Sequence, residues 1–166
     1  MAERQPRAES LGAGAASPAP WATAARRLAE GQVYWLTTVG PSGRPHVRPV
    51  LAVWLDAALH FSTRATSRKG KNLLRAARCA IAVDSPPLHL VVEGEAARVS
   101  DEARLQRLAD AYATKYGWPV TVRDGALYGD GAPTAGPPPY AVYAVAPTTV
   151  FGFGADESFS ATRWRF

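Results

Sequence analysis

The sequence lacks most of the features that announce a function. It has one cysteine, Cys79, which excludes an internal disulfide, and that residue sits in the apolar run Cys79-Ala80-Ile81-Ala82-Val83, where a small buried side chain belongs. The three histidines, His46, His60 and His89, are far apart and have neither an H-x-x-x-H partner nor a cysteine nearby, so no metal site is expected. No apolar run approaches the roughly 18 residues of a membrane-spanning helix, because Arg, Pro and Gly interrupt each one, and no membrane partner is expected. Residues 1–20 carry no Leu- or Val-rich block of the kind a secretory signal needs, and they read as a disordered leader on a cytoplasmic protein. No G-x-G-x-x-G or phosphate-binding P-loop follows a strand, and there is no G-x-S-x-G nucleophile turn.

What is present is a chain of 166 residues with 47% hydrophobic content, enough for one domain with a proper core. Its formal net charge of +5 points to an anionic partner. Arginine supplies nearly all of the positive charge, since lysine occurs only at 69, 71 and 115. Two of those lysines stand beside Arg68 in one short segment. A nucleic-acid surface spreads its basic residues along a face and interleaves aromatics, so a local anion site fits better and no nucleic-acid partner is expected.

The pattern of residues predicts a short helix over Trp21–Glu30, then a hairpin of Gln32–Val39 and Arg44–Leu55 around Gly40-Pro41-Ser42-Gly43. Pro45 and Pro49 make the second strand irregular or edge-like. Leu59–Thr63 is a strand, Thr66 or Ser67 caps a helix reaching about Arg78, and strands follow at Cys79–Asp84 and Leu88–Val99, with Gly94 a bulge or a point of close approach. Leu105, Leu108, Ala109, Tyr112 and Tyr116 have helical spacing over 101–116. Gly117–Pro139 reads as a long irregular loop, and Tyr140–Ala146 and Thr148–Phe153 as the last strands. Short antiparallel strands with few helices imply a mainly β fold, a barrel with helical additions.

The most informative stretch is Ser67-Arg68-Lys69-Gly70-Lys71-Asn72-Leu73, directly after a strand. Cations in the first helical turn oppose the helix dipole, each by about 0.3–1 kcal/mol when exposed, so three of them call for an offsetting anion or a solvated basic face. Free N–H groups at a helix start together with Arg and Lys side chains suit a phosphate.

The run Leu59-His60-Phe61-Ser62-Thr63, three residues, then Ser67-Arg68-Lys69-Gly70 resembles the cofactor-phosphate motif of the pyridoxamine 5'-phosphate oxidase-like split-barrel family. With Arg44–Val50, Val92-Glu93-Gly94-Glu95, Phe151–Gly154 and Thr162–Phe166, the pattern is similar to the flavin/deazaflavin-dependent oxidoreductases, group B. The resemblance implies a Greek-key split β-barrel over 21–154, FMN-binding in type, followed by a C-terminal tail, 155–166. It implies a homodimer that binds the deazaflavin coenzyme F420, or alternatively FMN, and exchanges hydride with a small-molecule substrate. An FMN-dependent oxidase and a non-catalytic flavin- or haem-binding protein are the alternatives on the same scaffold.

Carried over position by position, Lys69 is the phosphate ligand with Arg68 beside it, and Ser62 and Thr63 close the preceding strand, Thr63 offering its hydroxyl. Arg48 lies where the family places a strand arginine over the same phosphate. Lys71 extends the basic segment toward a longer anionic tail, Asn72 bonds the cofactor or ties down the loop, and Trp164 either reaches a partner's site or docks the tail. No side chain is assigned a catalytic acid–base role, because in such enzymes the ring carries the redox step.

Overall fold

The computed structural model describes residues 5–12, 17–130, 135–155 and 161–166. Strand β1 (Arg7–Ser10) precedes helix α1 (Trp21–Glu30), whose Trp21, Ala24 and Leu28 recur at helical spacing and are buried. The β-branched and aromatic run that follows forms β2 (Tyr34–Val39), and β3 (Pro45–Val50) returns beside it. The chain breaks at Leu51 and resumes as β4 (Ala52–Leu55), β5 (Ala58–Thr63) and helix α2 (Arg68–Arg75). Then come β6 (Arg78–Val83), β7 (Leu88–Val99) and helix α3 (Glu102–Tyr116), capped by the Asp101 carboxylate accepting from the Arg104 amide at 2.8 Å. A small hairpin, β8 (Thr121–Arg123) and β9 (Ala126–Tyr128), leads to the long β10 (Ala141–Gly154) and to β11 (Thr162–Arg165).

All the described strand pairs are antiparallel, and they curl into a split β-barrel in the order β3-β2-β6-β7-β10-β5-β4. Strand β10 organises the barrel. One of its edges pairs with β7 throughout, and the other pairs with β5 over Ala141–Val145 and with β11 over Thr149–Gly152. It bends where its register with β7 shifts between Pro147 and Thr149, opposite Gly94, and a Cβ on Gly94 would stand 2.5 Å from the Ala146 carbonyl. Only glycine allows that approach, as the sequence predicts.

The split lies between β3 and β4, which share no ladder although Leu51 alone separates them. Helix α3 covers the β4 side. Its Tyr116 hydroxyl donates to the Ala52 carbonyl (2.7 Å) and lies 3.1 Å from the Ala52 amide, Lys115 Nζ reaches the same carbonyl at 3.0 Å, and Tyr112 donates to the Leu51 carbonyl at 3.3 Å. No described strand pairs with the outer side of β3, so β3 is the edge its prolines predict. One core fills the barrel around Leu36, Phe61, Ile81, Val92 and Trp164, and a second lies between β5, β10 and α3 around Leu105, Leu108, Tyr112 and Val142.

Three sequence expectations are corrected. The leader contains β1, which pairs with β11 through Arg7↔Arg165 and Glu9↔Arg163, and a 2.5 Å Arg163–Glu9 contact secures the pair; residues 1–4 and 13–16 lie outside the described part. The tail is a strand, with residues 156–160 outside the described part. The expected irregular loop contains the β8–β9 hairpin, because Asp124-Gly125 takes positive φ at both positions and makes a tight turn.

Candidate functional site

The basic segment is held by local chemistry that its sequence specifies. Ser67 caps α2, accepting from the Gly70 amide at 3.1 Å, and its hydroxyl lies 3.0 Å from that of Thr63. Two hydroxyls that share one hydrogen bond retain one unshared proton, so the pair can still donate to a ligand. Gly70 is required by packing, since a Cβ there would come within 2.6 Å of the Arg64 carbonyl and 2.7 Å of that of Ala65. The first turn of α2 is thereby pressed onto the loop leaving β5, which sets where Arg68 and Lys69 project.

Strand pairing brings β3 to the same place. His46 pairs with Thr38 and Arg48 with Leu36, and Thr38 and Leu36 are both buried, so the two basic residues lie on the inward-facing side of β3 at the barrel edge. The register fixes the face of Arg48. Asn72 ties α2 to this sheet by donating to the Thr38 hydroxyl at 3.0 Å. The result is a cluster of His46, Arg48, Arg68 and Lys69. Burial, then the nearby Arg48, Arg68 and Lys69 cations, hold the His46 imidazole below its usual pKa. Burial, then Arg48, lower that of the half-buried Lys69 ammonium. No carboxylate of the described residues acts on either group. His46 Nδ1 is buried and, among the described residues, has no hydrogen-bond partner.

A concentration of positive charge with an unpartnered buried imidazole nitrogen and no acid among the described residues beside it is unstable by itself and suited to an anion that would offset it, toward which a protonated imidazole would donate. The residues present therefore fit the phosphate of a flavin-type cofactor. Among the described residues no group of His, Cys, Asp and Glu could hold a metal ion.

The structure brings Arg48, Thr63, Arg68 and Lys69 of the sequence-predicted set together, and adds His46. The sequence carried a signal for His46: it stands two residues before Arg48 in a strand, hence on the same face. Four other residues fall elsewhere. Ser62 alternates away from Thr63 toward α3, within hydrogen-bonding reach of the buried Tyr112 hydroxyl. His60 shares that face, where burial and Arg104 push its pKa down to about 4 and its Nε2 lies 2.9 Å from Arg104. Asn72 is buried against Thr38, so it anchors the site from behind. Lys71 is exposed on α2, and its charge is not among those acting on His46 or Lys69. Trp164 is wholly buried, edge-on to Trp21 at 5.8 Å, because β11 is held between β1 and β10; it is part of its own barrel's core and cannot reach into a partner's site.

The fold is an antiparallel split β-barrel that carries a basic cluster shared by β3 and α2. The chain belongs to the pyridoxamine 5'-phosphate oxidase family, whose family model matches residues 21–154. No curated protein matches it in sequence. Among solved structures it is similar to a conserved hypothetical protein from Mycobacterium tuberculosis (19% identity over 86% of this chain and 89% of that one, TM-score 0.65). It is also similar to an F420 reductase (23% identity, 75% and 93%, TM-score 0.53) and to a putative pyridoxamine 5'-phosphate oxidase from Listeria innocua (19% identity, 78% and 94%, TM-score 0.58). At these identities the likeness is one of fold.

Proposed function

We propose that this protein is a homodimeric oxidoreductase that holds a flavin-type cofactor by its phosphate at His46, Arg48, Arg68 and Lys69, with the deazaflavin F420 preferred over FMN. The observation that carries the reading is the convergence of those four basic groups, two from β3 and two from α2, around an unpartnered His46 Nδ1. When bound, the cofactor would supply hydride chemistry to a small organic substrate. The protein's part is to fix the phosphate, orient the attached ring and exclude water.

Preference for the deazaflavin rests on the tail, which continues past the phosphate through a phosphodiester to added carboxylates. Lys71 and Arg75, four apart on α2 and both exposed, extend the positive charge beyond the cluster. The F420 reductase of the same fold is consistent with this choice. A dimer is supported by the outward face of β2 and β3, where Trp35 (47% exposed) pairs across from Pro49, and Val39 (42%) and Val47 (43%) continue an apolar strip.

The test is absorbance titration of the purified protein with each cofactor, followed by turnover of the reduced cofactor with an electrophilic acceptor. Tighter binding of the deazaflavin, weakened by joint Lys71→Ala and Arg75→Ala more than FMN binding is, supports the reading. Tighter FMN binding moves the function to an oxygen-using oxidase, and tight binding without turnover makes the protein a cofactor carrier. A single-subunit mass in light scattering at micromolar concentration would refute the dimer.

A further inference from the structure

The loop that leaves β5 has a second face. Arg64 and Thr66, immediately before the Ser67 cap, form one wall of an open cavity of about 280 Å³ whose other walls carry Arg98 of β7, Asp124 of the β8–β9 turn and Tyr128 of β9. This volume sits at the small end of ligand pockets, which run from roughly 300 Å³, so it suits a chain end rather than a tricyclic ring. Arg98 is held in place: it donates to the Gly125 carbonyl at 2.9 Å, and its guanidinium stands 5.9 Å from the centre of the Tyr143 ring. A guanidinium carries five N–H donors, so most of them stay available. Among the described residues the Arg64 guanidinium makes no hydrogen bond or ion pair, its carbonyl alone accepting from the Ser67 amide at 3.0 Å, and the Tyr128 and Thr66 hydroxyls make none either. Asp124 is the lone acid and is likewise unpaired among the described residues.

We propose that this pocket is a second anion site, built for a carboxylate on a short flexible chain. Arg64 and Arg98 bind the carboxylate, the Tyr128 and Thr66 hydroxyls donate to its remaining lone pairs, and Asp124 restrains affinity or accepts from an N–H beside the acid. Thr66 and Lys69 are three residues apart, so their Cα atoms are at most about 11 Å from each other. One ligand can therefore place a phosphate at the basic cluster and an acid in this pocket. That link to the cofactor rests on the function proposed above, whereas the carboxylate site rests on the cavity and its unpaired arginines. The acid has two possible sources, the tail of the cofactor or a separate substrate.

The probe is glutarate, followed by amide chemical shifts of the full chain. Saturable shifts at Thr66, Gly125 and Tyr128 are expected, weakened about tenfold or more by joint Arg64→Gln and Arg98→Gln, as for loss of charge-assisted hydrogen bonds. Asp124→Asn, at a positive-φ position that Asn tolerates, should tighten glutarate binding several-fold, an effect that damage to the fold does not produce. Absence of shifts at these amides, binding indifferent to the arginine changes, or no gain from Asp124→Asn overturns the proposal. With the site established, F420 that displaces glutarate and weakens on Arg64→Gln, while the same deazaflavin without its glutamyl tail does neither, identifies the tail as the source; F420 that leaves glutarate bound identifies a separate acidic substrate. A parent protein that binds neither FMN nor deazaflavin refutes the proposed function, and the glutarate measurement still decides the pocket.

Discussion

Replacing Lys69 by alanine separates binding from folding. Lys69 is half-buried beside Arg48, and burial and that neighbour already depress its pKa, so its charge opposes folding. A phosphate in the cluster reverses that, through a charge-assisted hydrogen bond worth about 1.5–3 kcal/mol, and the variant should bind either cofactor roughly ten- to a hundred-fold more weakly. Its thermal midpoint should stay level or rise. The pH dependence has a definite sign. Between the lowered folded pKa and the ordinary 10.5 the unfolded chain binds more protons, so stability of the parent rises with pH across that window, and the variant loses this slope. Calorimetric titration with each cofactor and thermal unfolding between pH 7 and 10 are the assays. Unchanged affinity, or a loss of affinity matched by a large fall in stability, refutes the phosphate assignment.

Gly70→Ala drives a methyl group into the Arg64 and Ala65 carbonyls and should cost about 1–3 kcal/mol in urea unfolding, with weaker cofactor binding in the molecules that fold. Trp164→Ala should cost about 3–5 kcal/mol of stability while leaving affinity per folded molecule unchanged, measured by denaturation and titration of the same sample. His46 begins with a lowered pKa, and a neighbouring phosphate raises it, so binding takes up a proton. Affinity for the deazaflavin, whose phosphodiester does not titrate in this range, should increase as pH falls from 8 toward 6, and His46→Gln should flatten that dependence.

Elements whose burial is written in their own periodicity were legible in the sequence: α3 from Leu105, Leu108, Ala109 and Tyr112, β7 to the residue, and the Gly94 approach. What escaped was non-local or alternating. Strand β1 exists because it finds β11 at the far end of the chain, which no local window reveals, and the same pairing buries Trp164. Ser62 differs from Thr63 only by the pleat, so adjacency in a motif misled where parity would have decided. His46 stands two residues before Arg48 in β3, and the two-residue period of the strand is the signal that puts both on one face. Lys71 lies two residues beyond Lys69 on a helix, a rotation of about 200° that turns it away from Lys69 while leaving it a neighbour of Arg68, three residues earlier.

The unpaired outer side of β3 carries a consequence for the molecule among its copies. The Gly40 amide bonds to the Arg44 carbonyl, so the next pair, Val39↔Pro45, is of the non-hydrogen-bonded kind, and by alternation so is Trp35↔Pro49. At such positions the backbone nitrogen faces away from β2. Both prolines therefore delete donors from the outer edge and leave Val47 as the one N–H that residues 45–49 present there. An edge so poor in donors cannot template an added strand, and the charged Arg48 discourages one further. The strand that supplies two of the four basic groups is thus protected from runaway strand addition by its own sequence, and the seam can stay open to a small ligand without becoming a site of aggregation.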